Sequence, residues 1–216
     1  MLGSPCGAEG SVILFVALAP DEQFAGRLMA LKGRVADLVG DQLYISDPPH
    51  MTLYLAAFRD PVAVANAMAG AMADVSAPSI EVVGWHVFAG DPLTGRHSLV
   101  CQLKTEDHAR LKAVQRQIVA ALAPLRDVSA TRDRFAAAWA RLGDIERDNV
   151  EAYGFPFVGP IWHPHFTLAS IDEDAWETVW QALERDPPVG PVRCHWVTLY
   201  RLIEGHPHEV ARHRVG

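Results

Sequence analysis

The chain has 216 residues, of which 50% are hydrophobic and 21% are charged, and its formal net charge is −7. This length is sufficient to bury a core in one large domain or in two small lobes. The negative charge argues against tight binding to long nucleic acid, because a phosphate backbone favours a concentrated basic face. A small substrate or the end of a strand is compatible with it.

The longest apolar run, Val12 to Ala19, is far shorter than the roughly 20 residues that a membrane-spanning helix needs. No basic segment precedes it, so we expect neither a membrane span nor a secretory signal. Three cysteines, Cys6, Cys101 and Cys194, stand at unrelated spacings. They predict neither a disulfide framework nor a structural zinc site, and they favour a reducing, cytoplasmic location.

Strand and helix patterns alternate from residue 11 onward, with no linker-like stretch between them. A buried strand is followed by a helix in which Phe24, Leu28, Leu31, Val35 and Leu38 recur at helical spacing. The pattern predicts strands at 11–18, 43–58, 79–90, 97–104, 163–171 and 191–203, and helices at 21–40, 60–76, 106–125 and 172–185. Residues 126–160 are the least regular, with helical patterns at 133–142 and 144–153.

This order predicts an α+β fold with two antiparallel-sheet lobes related by an approximate twofold axis. Residues 1–216 would form a single bilobed domain, with 1–10 as a flexible N-terminal segment. We expect a monomer.

Two tetrapeptides repeat one pattern: "HMTL" begins at His50 and "HFTL" begins at His165. Side chains alternate between the two faces of a strand, so each histidine shares a face with the threonine two residues later, Thr52 or Thr167. The apolar residues between them would anchor the opposite face in the core. One such pair is weak evidence of function, but two copies in matching contexts make coincidence improbable.

Two imidazoles and two hydroxyls facing one another suit phosphoryl chemistry without a metal. A neutral imidazole can take a proton from the attacking water or hydroxyl, and a protonated one can give a proton to the leaving oxygen. Histidine suits both roles because its ordinary pKa is about 6.5. The threonine hydroxyls can hold non-bridging phosphate oxygens.

The doubled H-x-T-x pattern resembles the 2H phosphoesterase superfamily, which includes 2′-5′ RNA ligase-like proteins and cyclic nucleotide phosphodiesterases. The resemblance extends over "VILFVAL", "PPHMTLYL", "HSLVCQL" and "PHFTLASI". It implies a metal-independent, cofactor-free phosphodiesterase that hydrolyses 2′,3′-cyclic or 2′,5′-linked phosphodiesters of nucleotides or RNA ends. It also implies that His50 and His165 are the acid/base pair and that Thr52 and Thr167 are phosphate ligands.

The chain departs from this family at one position. Many RNA ligase-like members have an arginine where Ser170 stands here. The change removes a bidentate phosphate partner. It weakens the expectation of a polynucleotide substrate more than that of phosphoesterase activity.

Other residues near the motifs are candidate substrate contacts. A regular strand would turn Tyr54 toward the same face as His50, and Tyr153, Phe155 and Trp162 lead into the second motif and could stack on a nucleobase. Arg96, in the predicted hairpin turn, is a candidate phosphate contact. For each of these residues, packing or surface charge is the competing interpretation.

Three alternatives stay open at this point. The "HPH" segments at His163 and His206 could hold a metal for a metal-dependent hydrolase, although no acidic or cysteine partner stands at a helpful spacing. We expect surface or satisfied polar positions for the remaining histidines outside these segments, which are His86, His97, His108, His195 and His213. The fold could also bind an RNA end or nucleotide without turnover, or it could ligate RNA.

Overall fold

The computed structural model describes residues 10–216. The strands are β1 (Val12–Ala19), β2 (Met51–Phe58), β3 (Ser79–Phe88), β4 (His97–Leu103), β5 (His165–Ile171), β6 (Gly190–Arg193), β7 (Trp196–Ile203) and β8 (His206–Arg214). The α-helices are α1 (Glu22–Val39), α2 (Pro61–Met72), α3 (Thr105–Leu122), α4 (Val128–Arg134), α5 (Asp144–Tyr153) and α6 (Glu173–Leu183).

The eight strands form two four-stranded antiparallel sheets with matching orders. Sheet 1 has the order β2-β1-β7-β8, and sheet 2 has the order β5-β4-β3-β6. Each sheet therefore carries one motif strand, β2 or β5, at its edge. The predicted α+β fold with two antiparallel sheets is confirmed.

The long helices cross between the two sheets. Helix α1 follows β1 of sheet 1 but packs against β5 of sheet 2, where the Phe24 and Phe166 rings lie 5.1 Å apart. Helix α3 follows β4 of sheet 2 but packs against β2 of sheet 1. Each motif strand is thus supported by the helix that leaves the other sheet.

The main core takes its side chains from the helix-facing sides of both sheets and from the helices themselves. On the opposite side of sheet 1, Phe15, Ala17 and Tyr200 form a separate small cluster with Leu55 and Leu202 against it. We call the sides of the two sheets that face away from the helices their open faces.

The structure corrects three boundaries predicted from the sequence. The single last strand at 191–203 is two strands in different sheets, β6 and β7, and a further strand, β8, closes sheet 1. Residues 43–50 lie outside β2, and 44–47 form a turn in which Tyr44 takes a positive φ of 68°, which interrupts extended backbone. The pattern at 133–142 is mostly a short 3-10 helix, Ala136–Arg141, after α4, whereas α5 matches the predicted helix.

The N-cap of α2 agrees with the sequence: the Asp60 side chain accepts hydrogen bonds from the amides of Val62 and Ala63, and Pro61 opens the helix. The predicted flexible segment falls almost wholly on residues 1–9, which lie outside the described residues. Among the helices of residues 10–216, none combines the length and the apolar character needed to cross a membrane.

Candidate active site

The two motifs lie on strands that contact each other across the boundary between the sheets. His50 directly precedes β2, and His165 is the first residue of β5. Since β2 and β5 are the edge strands of their sheets and pack together, both histidines come to the junction of the two open faces.

Burial along the motifs follows the predicted alternation. Met51, Leu53, Phe166 and Leu168 are fully buried in the main core, whereas His50, Thr52, His165 and Thr167 are half-buried. The core residues fix the strands, and the alternating residues remain available to a ligand.

Each motif strand then contains a β-bulge at the same position. Val16 lies opposite Tyr54 and Ala17 lies opposite Thr52, so Leu53 is the extra residue of β2. Likewise Leu168 is the extra residue of β5. A bulge shifts the alternation by one residue and bends the strand, so residues beyond each motif face opposite to what a regular strand predicts.

The hydrogen bonds of both imidazoles match. Nδ1 of His50 lies 2.7 Å from the carbonyl oxygen of Pro48, and Nδ1 of His165 lies 2.7 Å from the carbonyl oxygen of His163. A carbonyl oxygen only accepts, so Nδ1 carries the hydrogen in each ring. Nε2 of each neutral ring is then the free proton acceptor, and in the protonated ring it is the donor.

The surroundings of His50 favour its neutral form. Burial lowers the pKa of His50 to about 4, the bond to Pro48 opposes this shift, and the positive charges of Lys32 and His165 add to it. The motif strands β2 and β5 pack together, so a charge on His165 acts on His50.

The surroundings of His165 shift its pKa in both directions. Burial lowers its pKa, the bond to the His163 carbonyl opposes the shift, the Asp91 carboxylate also raises the pKa, and His86 lowers it. The charge of Lys32 therefore lowers the pKa of the first histidine, whereas the charge of Asp91 raises that of the second.

Aromatic side chains that the motif did not reveal flank both histidines. The Phe15 ring lies 5.1 Å from His50 and stacks on Tyr200 at 4.9 Å. On sheet 2, the centroids of the Phe88 and His165 rings lie 5.1 Å apart, with the ring planes at 61°. These rings form apolar walls on the open faces beside the proton-transfer groups.

Three further histidines pack beside His165 rather than at the surface. The His86 and His163 rings stack at 4.8 Å, and His108 lies 5.3 Å from His163. Nε2 of His108 and Nε2 of His163 are buried, with no hydrogen-bond partner among the described residues. The expectation of surface or satisfied polar positions is therefore wrong for His108 and for His97, whose Nδ1 is also buried with no partner among the described residues. His86 is half-buried. In residues 10–216 no group of three or more histidine, cysteine or acidic side chains has a metal-holding arrangement.

A family model for the 2′-5′ RNA ligase superfamily matches residues 20–206, which include both motif strands and all of sheet 2. The chain belongs to the 2′-5′ RNA ligase superfamily. This superfamily comprises 2H phosphoesterases, as the resemblance of the motifs indicated.

Two solved structures share the fold of this chain. TT0787 from Thermus thermophilus matches with a TM-score of 0.56 at 18% identity, covering 94% of this chain and 97% of that one. LigT from E. coli, in complex with NADP+, matches with a TM-score of 0.52 at 15% identity, covering 95% and 98%. A search of curated proteins found no match in sequence.

At residue 170, where many 2′-5′ RNA ligase-like proteins have arginine, the bulge turns Ser170 to the same face as His165. Its fully buried Oγ lies 2.9 Å from both Thr94 Oγ1 and Ser98 Oγ, and Ser98 Oγ donates to Asp91 at 3.0 Å. The hydroxyls of Thr94, Ser170 and Ser98 thus form a hydrogen-bonded chain that ends on the Asp91 carboxylate. This chain stands where an arginine would present its guanidinium group. Ser170 therefore cannot make the bidentate phosphate contact that an arginine at this residue would offer.

The prediction that Tyr54 faces the open side was wrong. The bulge at Leu53 turns the Tyr54 ring into the core, where it is 0% exposed, packs against Phe155 and Phe58, and donates its hydroxyl hydrogen to the Tyr153 carbonyl. Burial raises the pKa of this hydroxyl.

Of the other three aromatic candidates, two lie in the core and one is exposed. Phe155 is 5% exposed and Trp162 is 3% exposed, both in the main core, so neither is available to stack on a base. Trp162 Nε1 instead donates a hydrogen bond to the Thr52 carbonyl at 3.2 Å. This bond supports the first motif strand from the core side. Tyr153 has an exposed side chain, but its carbonyl lies on the core side of β2.

Arg96 lies in the β3-β4 turn, and its Nε makes a 3.0 Å ion pair with Asp172. It lines a cavity of about 270 Å³ together with Asp47, His206 and residues 41–44. Its role as a phosphate contact stays a prediction, as do the roles of the two motif histidines and the two threonines.

Replacing Tyr54 by phenylalanine should lower the free energy of unfolding by roughly 1 kcal/mol and leave KM unchanged. The substitution keeps the ring in the core and removes only the hydrogen bond to the Tyr153 carbonyl. Denaturant unfolding and steady-state kinetics measure the two quantities. A several-fold rise in KM at unchanged stability would return Tyr54 to the substrate site.

Proposed function

We propose that this chain is a metal-independent phosphodiesterase that hydrolyses 2′,3′-cyclic or 2′,5′-linked phosphodiesters of nucleotides or RNA ends. The observation that carries the proposal is the matched pair of imidazoles, one from each sheet, whose Nδ1 atoms are held by carbonyls and whose Nε2 atoms are left for proton transfer. Superfamily membership supports the reaction class.

The chemistry needs only these groups. Nε2 of one neutral histidine takes a proton from water as the water oxygen bonds to phosphorus. The bond from phosphorus to the leaving ribose oxygen breaks, and Nε2 of the other, protonated histidine gives that oxygen its proton. Thr52 and Thr167 hold the non-bridging oxygens, whose negative charge also favours protonation of the acid.

We assign His50 as the base and His165 as the acid. The charge of Lys32 favours neutral His50, and the Asp91 carboxylate favours protonated His165. Burial lowers the pKa of both rings, but these two charges act in opposite directions, so His50 loses its proton more readily than His165 does.

Nucleotides are the ligands we propose. LigT has been crystallised with NADP+ and with ATP. In this chain, the Phe15, Tyr200 and Phe88 rings provide apolar surface beside the histidines against which a base or ribose can pack. The hydroxyl chain at Ser170, in place of arginine, favours a small substrate over a polynucleotide.

A turnover screen tests the proposal. We expect hydrolysis of at least one substrate among 2′,3′-cyclic mononucleotides, ADP-ribose cyclic phosphate and short 2′,5′-linked oligomers, at an undiminished rate in excess chelator. Activity that the chelator abolishes and zinc or manganese restores would indicate a metal-dependent hydrolase. Tight binding of a cyclic nucleotide without product would indicate a binding module, and joined RNA ends would indicate a ligase.

A further inference from the structure

Two buried polar side chains occupy equivalent places in the long helices behind the motifs. Lys32 lies ten residues after Glu22, the first residue of α1, and Gln115 lies ten residues after Thr105, the first residue of α3; both helices have 18 residues. Lys32 is 2% exposed and Gln115 is 0% exposed. Polar groups buried to this extent require partners.

In both cases the partners are backbone groups of the segment that leads into a motif histidine. Lys32 Nζ donates to the Tyr44 carbonyl and, at 2.9 Å, to the Asp47 carbonyl. The next residue is Pro48, whose carbonyl holds the His50 ring. Lys32 therefore fixes the turn from which the first imidazole takes its orientation.

Gln115 holds the segment before the second histidine in the same way. Its Nε2 donates to the Phe157 carbonyl at 2.8 Å, and its Oε1 accepts from the Gly159 amide at 3.2 Å. The same Nε2 lies 3.2 Å from the carbonyl of Leu53, the bulge residue of the first motif. The second anchor thus ties the approach to His165 to the strand of His50.

The two anchors differ in charge. Gln115 is neutral, whereas Lys32 carries an ammonium group. The titratable groups that act on this ammonium group are Asp47, from the turn before β2, and Cys101, from β4. The titratable groups that act on or pack against His50 are Lys32 from α1, His165 from β5 and Tyr200 from β7. One half of a nearly symmetric arrangement therefore has a buried cation that the other half lacks.

We propose that Lys32 and Gln115 are paired positioning residues for His50 and His165, and that the charge of Lys32, which has no counterpart at Gln115, makes the two histidines unequal and keeps His50 the proton acceptor. This inference rests on the proposed function. It adds two residues outside both motifs and a physical reason for the direction of proton transfer.

The decisive variant is Lys32→Gln, which keeps N–H donors for the two carbonyls, as Gln115 does in the other half, and removes the charge. We expect the pKa of His50 to rise by roughly half a unit or more and that of His165 to change much less. NMR titration of the ligand-free protein measures both values, with the two resonances identified by their loss in His50→Ala and His165→Ala. An unchanged His50 pKa would overturn the role of the charge.

The pH profile should move in the same direction. A base must be neutral to act, so the acidic limb of kcat/KM reports the pKa of His50 and should shift to higher pH in Lys32→Gln, with the alkaline limb unchanged. Lys32→Met, which also removes the donors, should lower kcat by about tenfold or more. Folded Lys32→Met with the kcat of the parent would overturn the positioning role, and Lys32→Gln serves alone if that variant does not fold.

Gln115→Met is the matched control, because it removes the second anchor without changing charge. It should lower kcat while leaving the His50 pKa at the value of the parent. A shift of the His50 pKa as large as that in Lys32→Gln would mean that loosened packing, rather than charge, controls the ring.

Stability provides a check that Lys32 is charged in the folded protein. Burial lowers the pKa of Lys32 from 10.5 to about 8. Between these two values the unfolded chain binds more protons than the folded one, so the free energy of unfolding of the parent should rise with pH relative to Lys32→Gln. Below about pH 8 both states bind the Lys32 proton, so the difference between parent and variant should be constant there. A difference that already rises with pH well below 8 would contradict a charged Lys32 in the folded protein.

These measurements separate the two proposals. A His50 pKa that depends on Lys32, in a protein that turns over no phosphodiester, would support the inference and refute the proposed function. Hydrolysis of a phosphodiester together with a His50 pKa that does not respond to Lys32→Gln would support the proposed function and refute the inference.

Discussion

Replacing His50 or His165 by alanine should lower kcat/KM for a 2′,3′-cyclic nucleotide by about a hundredfold or more in each case, because each ring moves one of the two protons of the reaction. The two rings act in a single step, so the double variant should lose far less than the product of the two single losses. Steady-state kinetics on matched, folded preparations measure these values.

The control for this prediction is His208→Ala, which removes an exposed histidine of β8. It should retain the kcat/KM of the parent. Single variants of the motif histidines that hydrolyse the substrate as fast as the parent, with unfolding transitions unchanged, would contradict the assignment of the pair.

The second large effect concerns the identity of the acid. His165→Ala should recover most of its lost activity on cyclic phosphate analogues in which sulfur replaces the leaving ribose oxygen. A thiol has an ordinary pKa of about 8.5, so its anion leaves without a proton donor. His50→Ala should stay impaired on the same analogues, because activation of the water is still required.

This experiment needs both sulfur isomers, at the 2′ and the 3′ position, because either oxygen could be the leaving group. For each variant, the activity relative to the parent is measured on the oxygen substrate and on the sulfur substrate. The ratio of these two relative activities measures the rescue. Rescue of His50→Ala in place of His165→Ala would reverse the roles that the charges of Lys32 and Asp91 support.

Much of the fold could be read from local patterns. The 3.6-residue periodicity of α1 and the Asp60-Pro61 cap of α2 are local signals, and the structure has both helices. The continuation of "PVRCHWVTLYRLI" across two sheets could not be predicted, because a turn at Cys194 and His195 that changes sheets has no distinctive composition. Strand pairing is a long-range choice that periodicity alone does not specify.

The sequence positions of Lys32 and Gln115 within their helices could have indicated that both side chains are buried. Lys32 follows Phe24 and Leu28 at intervals of four, so it stands on the apolar stripe of α1, and Gln115 follows Leu111 in the same way on α3. A polar residue on an apolar stripe marks either an error in the predicted face or a buried polar contact. Only the structure shows that the contact leads to the motif histidines.

The sequence by itself determined the family and the four motif positions, because a duplicated His-x-Thr on strands encodes both residue type and shared face within a few residues. Tertiary structure decided which neighbours join them. The bulges at Leu53 and Leu168 reversed the faces of Tyr54 and Ser170, since one unpaired residue inverts all later alternation. The charges that distinguish the two histidines come from α1 and from the β3-β4 turn, which only folding places beside them.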